Sequence, residues 1–152
     1  MRVKAGLVVA IDIGEGLVGY GRVIDPPLIE FFDRIDHADE TRSSVDAFES
    51  APILFRIDVM DSAIKSGRWT AIGTMRVEDR APEIFFKKDT LTGSLSLYWE
   101  VRSTGEWFEV PASLEECAKL ERAAVWSASH VEDRLRDHFH GRPNRWVESL
   151  RP

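Results

Sequence analysis

The stretch from Phe55 to Gly73, FRIDVMDSAIKSGRWTAIG, constrains the fold more than any other part of the chain. Residues 55–59 alternate between apolar and polar side chains, which is the pattern of a half-buried β-strand. Residues 61–67 break this alternation with short polar residues and a glycine, so they predict a chain reversal. Residues 68–72 are extended again and place Trp69 at the edge of the core, where its indole N–H needs an acceptor. The stretch therefore predicts two neighbouring strands at the centre of a small β core.

Further strands are predicted on both sides of this stretch. Residues 6–24 favour a hairpin with its turn at residues 14–16, and the Pro26–Pro27 pair ends it because proline cannot donate to a ladder. Gly19 and Gly21 lie inside the returning strand, where glycine marks a bulge or a close approach of the backbone. The remaining strands are expected at residues 28–35, 74–77, 83–88, 94–99, 100–104 and 106–110. These patterns predict a strongly bent antiparallel sheet or a small open barrel of about seven or eight strands.

A helical period begins at Ser113. Ser113 and Glu116 match a capping box, in which the hydroxyl and the carboxylate each accept a hydrogen bond from a backbone N–H of the first turn. Apolar residues then recur at helical spacing as far as Leu135, and Glu121 interrupts the stripe. A glycine at position 141 followed by Pro143 marks the end. The sequence therefore predicts one long C-terminal amphipathic helix over residues 113–140, packed on the open face of the sheet and followed by a tail of residues 141–152.

Length and composition favour a single α+β domain, mostly β, that spans residues 1–152 with its β part in residues 1–111. A domain of 152 residues buries roughly 70% of the surface that its unfolded chain exposes. The single cysteine, Cys117, cannot form an internal disulfide. The apolar run at residues 7–11 is too short for a signal peptide or a membrane span. We expect a cytoplasmic protein with no membrane contact.

Acidic residues are distributed unevenly along the chain, whose net charge is −6. Residues 112–152 contain seven acidic and seven basic residues, so the whole excess lies in residues 1–111. Residues 25–61 alone contain ten acidic residues and three basic ones. A negative field of this kind repels nucleic-acid backbones and attracts cationic surfaces. The distribution therefore argues against direct nucleic-acid binding and favours a cationic protein as partner.

The sequence contains no nucleophile elbow, P-loop, HExxH motif or paired-cysteine zinc motif. His130, His138 and His140 are close in sequence, but helical geometry points the last two away from each other. Asp58 and Asp61 form a candidate carboxylate pair without a neighbouring histidine. We therefore expect a protein that is not an enzyme, with no catalytic residues, no cofactor and no metal.

Three segments carry a resemblance to a known family: residues 54–73, GYGRV at residues 19–23 and FFKKDTLTGSLSLY at residues 85–98. Together they resemble the immunity protein 26 family of bacterial polymorphic toxin systems. The shared positions are spaced glycine, tryptophan and aliphatic residues, which identify a fold more securely than a function. The resemblance implies a cytoplasmic antidote that binds and blocks a toxin encoded beside it. It supplies no functional residues.

The acidic connection at residues 36–50 is the predicted partner-binding site. A charge run of this kind is usually a solvated loop. The lack of a regular period over such a long connection strengthens the case for a functional, toxin-facing arm. We expect it to dock a basic toxin domain of nuclease type, with Phe48 as the aromatic anchor. The predicted contact residues are Asp36, Asp39, Glu40, Asp46, Phe48 and Glu49.

Two alternatives remain at this stage. The first is a β-barrel that binds a small ligand or acts as an enzyme, with a pocket near Tyr20 and Trp69 lined by aromatic side chains. The second is a scaffold subunit that dimerises through its helix. On the leading interpretation the chain is a monomer or a weak homodimer.

Overall fold

The computed structural model describes residues 2–152, which form two compact units. The first unit contains residues 2–77 and 125–146, and the second contains residues 78–124 and 147–152. The strands are β1 (Leu7–Gly14), β2 (Leu17–Asp25), β3 (Leu28–Phe32), β4 (Asp36–His37), β5 (Ile53–Val59), β6 (Thr70–Thr74), β7 (Phe85–Lys88), β8 (Leu95–Val101), β9 (Glu106–Pro111) and β10 (Val125–Trp126). The helices are α1 (Ser62–Lys65), α2 (Leu114–Ala118), α3 (Ala128–Phe139) and α4 (Arg145–Ser149), with a 3-10 turn at Val45–Phe48.

The first unit contains a seven-stranded sheet in the order β10–β5–β3–β2–β1–β6, with β4 paired to β2 beyond the end of β3. The neighbours are antiparallel except for β10, which runs parallel to β5. Because β10 and β6 are free edges within residues 2–152, this sheet is open and mixed, so a barrel is not formed. The prediction of a mostly β chain is confirmed. The predicted antiparallel arrangement holds except at β10, which makes the sheet mixed, and the sheet does not close into a barrel.

The predicted hairpin is present as β1 and β2, whose register pairs Ala10 with Tyr20. The two strands predicted to be neighbours, β5 and β6, are instead separated by β3, β2 and β1. Each finds an antiparallel partner elsewhere, β5 on β3 and β6 on β1. The connection through α1 carries the chain across the sheet, and it is held by buried Ala63 and Ile64. Alternation identifies a strand, but its neighbours depend on contacts far away in sequence.

The predicted long C-terminal helix is wrong, because α2 and α3 are separated by β10. The capping box of Ser113 and Glu116 begins α2 as expected, but α2 ends at Ala118. Trp126 then pairs with β5, and its carbonyl accepts a hydrogen bond from the Met60 N–H at 2.9 Å. This pairing uses backbone groups that a continuous helix would need, and it buries the Trp126 ring. Ser127 then caps α3 by accepting from the His130 N–H.

The sheet of the first unit is covered on both faces. On one face α3 packs against β1 and buries Val131 and Leu135. A Cβ atom at Gly19 would lie 3.4 Å from Leu135, so glycine at this position permits the close approach. On the other face lies a cluster of buried side chains on which the 3-10 turn packs: Val8, Ala10, Val18, Tyr20, Phe32 and Phe48. The packing of the 3-10 turn therefore fixes the position of the acidic connection, residues 36–50, relative to the sheet.

The second unit contains a three-stranded antiparallel sheet in the order β7–β8–β9. Helix α2 packs on β8 and buries Cys117. Residues 121–123 run beside β7, where the Phe86 N–H donates to the Glu121 carbonyl at 3.1 Å. Strand β9 is an edge strand, and all six of its residues are exposed. Among residues 2–152, no helix of either unit is long and apolar enough to cross a membrane.

Candidate functional site

The acidic arm, defined here as residues 36–50, connects β3 to β5 and lies on the second face of the sheet. Its first two residues form β4 on β2. Its last part is the 3-10 turn, which places Phe48 against Tyr20 and Phe32 with ring centroids 4.6 and 5.0 Å away. Partly buried Val45 packs on the same cluster. The arm is therefore fixed to the core at both ends.

Phe48 is only 2% exposed, so its position argues against the anchor role predicted from the sequence. The physical reason is that the cluster formed by Tyr20 and Phe32 offers an apolar surface within the same unit. Burial of a phenylalanine side chain there stabilises the fold by roughly 2–3 kcal/mol. Phe48 holds the arm in place, and its side chain does not reach the surface that a partner would meet.

Asp36 has a structural role at the start of the arm. Its Oδ2 accepts hydrogen bonds from the Tyr20 hydroxyl and, at 2.7 Å, from the Ser43 N–H. Burial alone would raise the pKa of Asp36, but these hydrogen bonds outweigh burial and lower it. Burial raises the pKa of Tyr20 to about 12, and the hydrogen bond to the carboxylate acts in the same direction. Asp36 therefore closes the loop between residues 36 and 43.

The four other predicted acidic residues, Asp39, Glu40, Asp46 and Glu49, are all exposed. Within residues 2–152 their carboxylates form no ion pair or side-chain hydrogen bond. The arm contains one basic residue, Arg42, against its five acidic residues. Exposed carboxylates without intramolecular partners keep their full negative charge available to an approaching cation. Among residues 2–152 the arm therefore presents four exposed carboxylates without an intramolecular partner.

A buried ion cluster on the same face was not predicted from the sequence. Glu30 is 1% exposed and lies between Arg22 and Arg56 on three neighbouring strands. Its Oε2 is 2.7 Å from the Arg22 Nε, and its Oε1 is 3.1 Å from the Arg56 Nε. The three charged residues occupy the same register position on neighbouring strands. This pattern can be recognised only when the strand order is known. Both oxygens are occupied by guanidinium groups, so the cluster is structural.

Tyr20 and Trp69, near which the alternative interpretation places a pocket, both lie in the core at 0% and 1% exposure. The Trp69 indole N–H donates to Glu132 at 2.9 Å, which confirms that it needs an acceptor. A cavity of about 670 Å³ lies elsewhere in the first unit, and its apolar lining includes Val23, Ile29 and Val59. Lys65 and Asp61 at this cavity pair with each other at 2.7 Å.

The histidines and the cysteine do not form a site together. His130 stacks on Trp146 at 3.5 Å, whereas the Nε2 atoms of His138 and His140 are 3.2 and 2.9 Å from different carboxylates, Asp33 and Glu15. Within residues 2–152 no group of three or more histidine, cysteine, aspartate or glutamate side chains is arranged to hold a metal. The remaining candidate, the cysteine of α2, is fully buried, and burial raises the pKa of its thiol.

The first unit of this mostly β protein holds an exposed acidic arm that is fixed to the core at both ends. The sequence profile of the family described as Immunity protein 26 matches residues 4–96, which is more than half of the chain. The chain therefore belongs to the immunity protein 26 family. The match includes the whole acidic arm and ends inside β8. No curated protein and no solved structure is significantly similar to the chain.

Proposed function

We propose that this protein neutralises a cognate toxin by binding it through the acidic arm, and that the toxin domain is basic and of nuclease type. Membership of an immunity-protein family supports the antidote role. The single observation that carries the placement is the set of four exposed carboxylates without intramolecular partners within residues 2–152. The proposed contact residues are Asp39, Glu40, Asp46 and Glu49.

The way in which the arm is held favours tight binding. A mobile acidic loop would lose conformational freedom when it bound, at a cost of about 0.5–1.5 kcal/mol for each immobilised side chain. The buried Phe48 ring and the Tyr20–Asp36 hydrogen bond order the backbone of the arm before a partner arrives. Less of the binding free energy is then spent on ordering the arm.

Electrostatics explains why a nuclease-type toxin is the favoured partner. A domain that binds nucleic acid needs a basic surface, and that surface is also where an inhibitor must sit to exclude the substrate. Carboxylates on the arm would accelerate encounter with such a surface and compete with phosphates for it. The same charges would repel nucleic acid from the inhibitor itself.

Two adjacent carboxylate pairs offer a matched test. The variant Asp39→Lys/Glu40→Lys changes the arm, and Glu78→Lys/Asp79→Lys makes the same change in charge at an exposed pair outside it. Association with the toxin domain encoded beside this chain's gene is measured by stopped flow at 50 and 300 mM salt. We expect the arm variant to associate at least about tenfold more slowly at low salt and to depend less on salt. The Glu78 and Asp79 variant should stay close to wild type.

Protection in cells gives a second readout. Co-expression of the toxin domain with the arm variant should reduce survival, whereas the Glu78 and Asp79 variant should still protect. Equal losses of survival with the two variants would mean that protection depends only on the net charge of the protein. Unchanged association and survival in the arm variant would mean that the arm is only a solvated loop and that the proposed site is wrong.

A further inference from the structure

Strand β9 of the second unit presents a row of three exposed apolar side chains, with Phe108 and Val110 on one face of its sheet and Trp107 on the other. Trp107 is 61% exposed, Val110 is 42% exposed and Phe108 is 40% exposed. Phe108 and Val110 lie together, and exposed apolar side chains that lie together mark interaction sites more often than isolated ones do. Trp107 has the side chain most enriched among residues that dominate binding energy. This row lies outside the part of the chain that matches the family profile.

The backbone of β9 is also open along one edge. In the described chain β9 pairs with β8 and with no other strand. Its register with β8 is continuous from Glu106 to Pro111, with no bulge to twist the edge away. It contains no lysine, although lysine on an edge strand is a common protection against unwanted pairing. Its protection consists of Glu106, Glu109 and the terminal Pro111, so this edge is suited to receive a strand that carries the opposite charge.

Charge indicates which strand this edge would receive. The charged residues of β9 are Glu106 and Glu109, and the second unit contains eleven acidic residues against seven basic ones. Antiparallel pairing of two copies of β9 would bring together four carboxylates with no cation on either strand, which is destabilising. A strand with lysine or arginine would instead place opposite charges across the ladder. The edge therefore favours a basic partner strand over a second copy of this chain.

We propose that β9 binds an extended basic segment of the cognate toxin by strand addition, with Trp107 and Phe108 as the apolar anchors. The identity of the partner rests on the proposed function, whereas the β9 surface is distinct from the acidic arm. The backbone edge supplies hydrogen bonds, Glu106 and Glu109 select cationic side chains, and the aromatic rings supply the apolar contact that buried Phe48 does not offer.

The anchors are already ordered within the second unit. Phe108 stacks on Trp99 with ring centroids 5.4 Å apart and an interplanar angle of 17°. Trp107 lies 6.3 Å from Tyr98, its neighbour on β8. Rings held by cross-strand neighbours lose little freedom on binding, so more of the contact energy contributes to affinity.

The first experiment measures the dissociation constant and dissociation rate of the full chain with the toxin domain encoded beside its gene. The variants are Trp107→Ala and Phe108→Ala, and the control is Leu91→Ala, which removes a 94% exposed apolar side chain in the same unit. We expect roughly a 30-fold weaker affinity for Trp107→Ala, mostly through faster dissociation, and no change for the control. Unchanged affinity in both aromatic variants would overturn the inference and leave the proposed function intact. Absence of binding by the wild-type chain would contradict the proposed function itself.

A second experiment tests the surface without the toxin. The peptide acetyl-KVKVKV-amide is titrated into the isotope-labelled full chain, and amide chemical shifts are followed by NMR. We expect shifts centred on β9 that are absent with acetyl-EVEVEV-amide and absent in a Glu109→Pro variant, because the Glu109 N–H faces the open edge whereas the Val110 N–H faces β8. Shifts elsewhere, equal shifts with both peptides, or no shifts would overturn the inference. Sedimentation of a wild-type dimer that Trp107→Ala dissolves would show that the occupant is a second copy, and would overturn it too.

Discussion

Truncation of Phe48 to alanine separates the role that the sequence predicts for this residue from the role that the structure gives it. The ring is 2% exposed and contacts Tyr20 and Phe32 at centroid distances of 4.6 and 5.0 Å. If Phe48 holds the arm on the sheet, its loss should lower the free energy of unfolding. If it were an exposed anchor, its loss should weaken toxin binding and leave stability unchanged.

The magnitude follows from burial and from the freedom of the surroundings to relax. Replacing a fully buried phenylalanine with alanine costs about 3–5 kcal/mol, and the cost is smallest where neighbours collapse into the space. Val45 and Ala51, which pack on this cluster, are only partly buried and belong to a connection. We therefore expect a loss of about 3 kcal/mol. At about 2–4 °C per kcal/mol for a chain of this size, the melting temperature should fall by roughly 6–12 °C.

Urea titration of wild type and of Phe48→Ala, Phe48→Leu and Leu91→Ala measures this effect. Phe48→Leu keeps most of the volume and should lose less than about 1.5 kcal/mol. Leu91→Ala removes an almost fully exposed side chain and should lie within about 0.5 kcal/mol of wild type. A loss below about 1 kcal/mol for Phe48→Ala, together with a large loss of toxin affinity, would refute the structural role.

Four further predictions concern the arm and the buried side chains of the two units. Tyr20→Phe removes a hydrogen bond to the Asp36 carboxylate and should cost about 1.5–3 kcal/mol at pH 7 in urea titrations. Because the pKa of Tyr20 is raised from 10.0 to about 12, wild type should lose stability as the pH rises through that range, and Tyr20→Phe should not. Because the pKa of Asp36 is lowered, wild type should also lose stability as the pH falls below 3.8. Gly73→Ala places a Cβ 2.6 Å from a Val45 methyl and should cost about 1–3 kcal/mol, less in a Val45→Ala background, as a double-mutant cycle would show. Cys117 is buried with a raised pKa and should react with a thiol reagent only in unfolding concentrations of urea.

Local patterns predicted the local structure well. The hairpin of β1 and β2 and the capping box at Ser113 are confirmed, because each depends on residues near one another in sequence. The need of the Trp69 indole for an acceptor is confirmed too, but the acceptor, Glu132, is distant in sequence. What local patterns did not predict was the pairing of distant segments. The separation of β5 from β6 and the insertion of β10 into the predicted helix both result from contacts across the sheet.

The candidate site shows the same division. Composition predicted the acidic arm as the partner-binding site, which stays a prediction, and four of its five carboxylates are exposed. Composition did not distinguish Asp36, whose carboxylate accepts a hydrogen bond from the Tyr20 hydroxyl, from Asp39 and Glu40. It also assigned Phe48 to a partner, because an isolated aromatic residue in a polar loop looks the same whether it faces solvent or the core. The buried partners of both residues are determined by the strand order, which the sequence pattern left open.

Hydrogen exchange of the full chain, alone and bound to the toxin domain encoded beside its gene, tests the central claim most directly. Amides at residues 39–49 should exchange more slowly in the complex, because a partner covers the acidic arm. The Asp39→Lys/Glu40→Lys variant should show that protection only at higher toxin concentration. Slower exchange at α3 with no change at residues 39–49, or the absence of a complex, would contradict binding through the acidic arm.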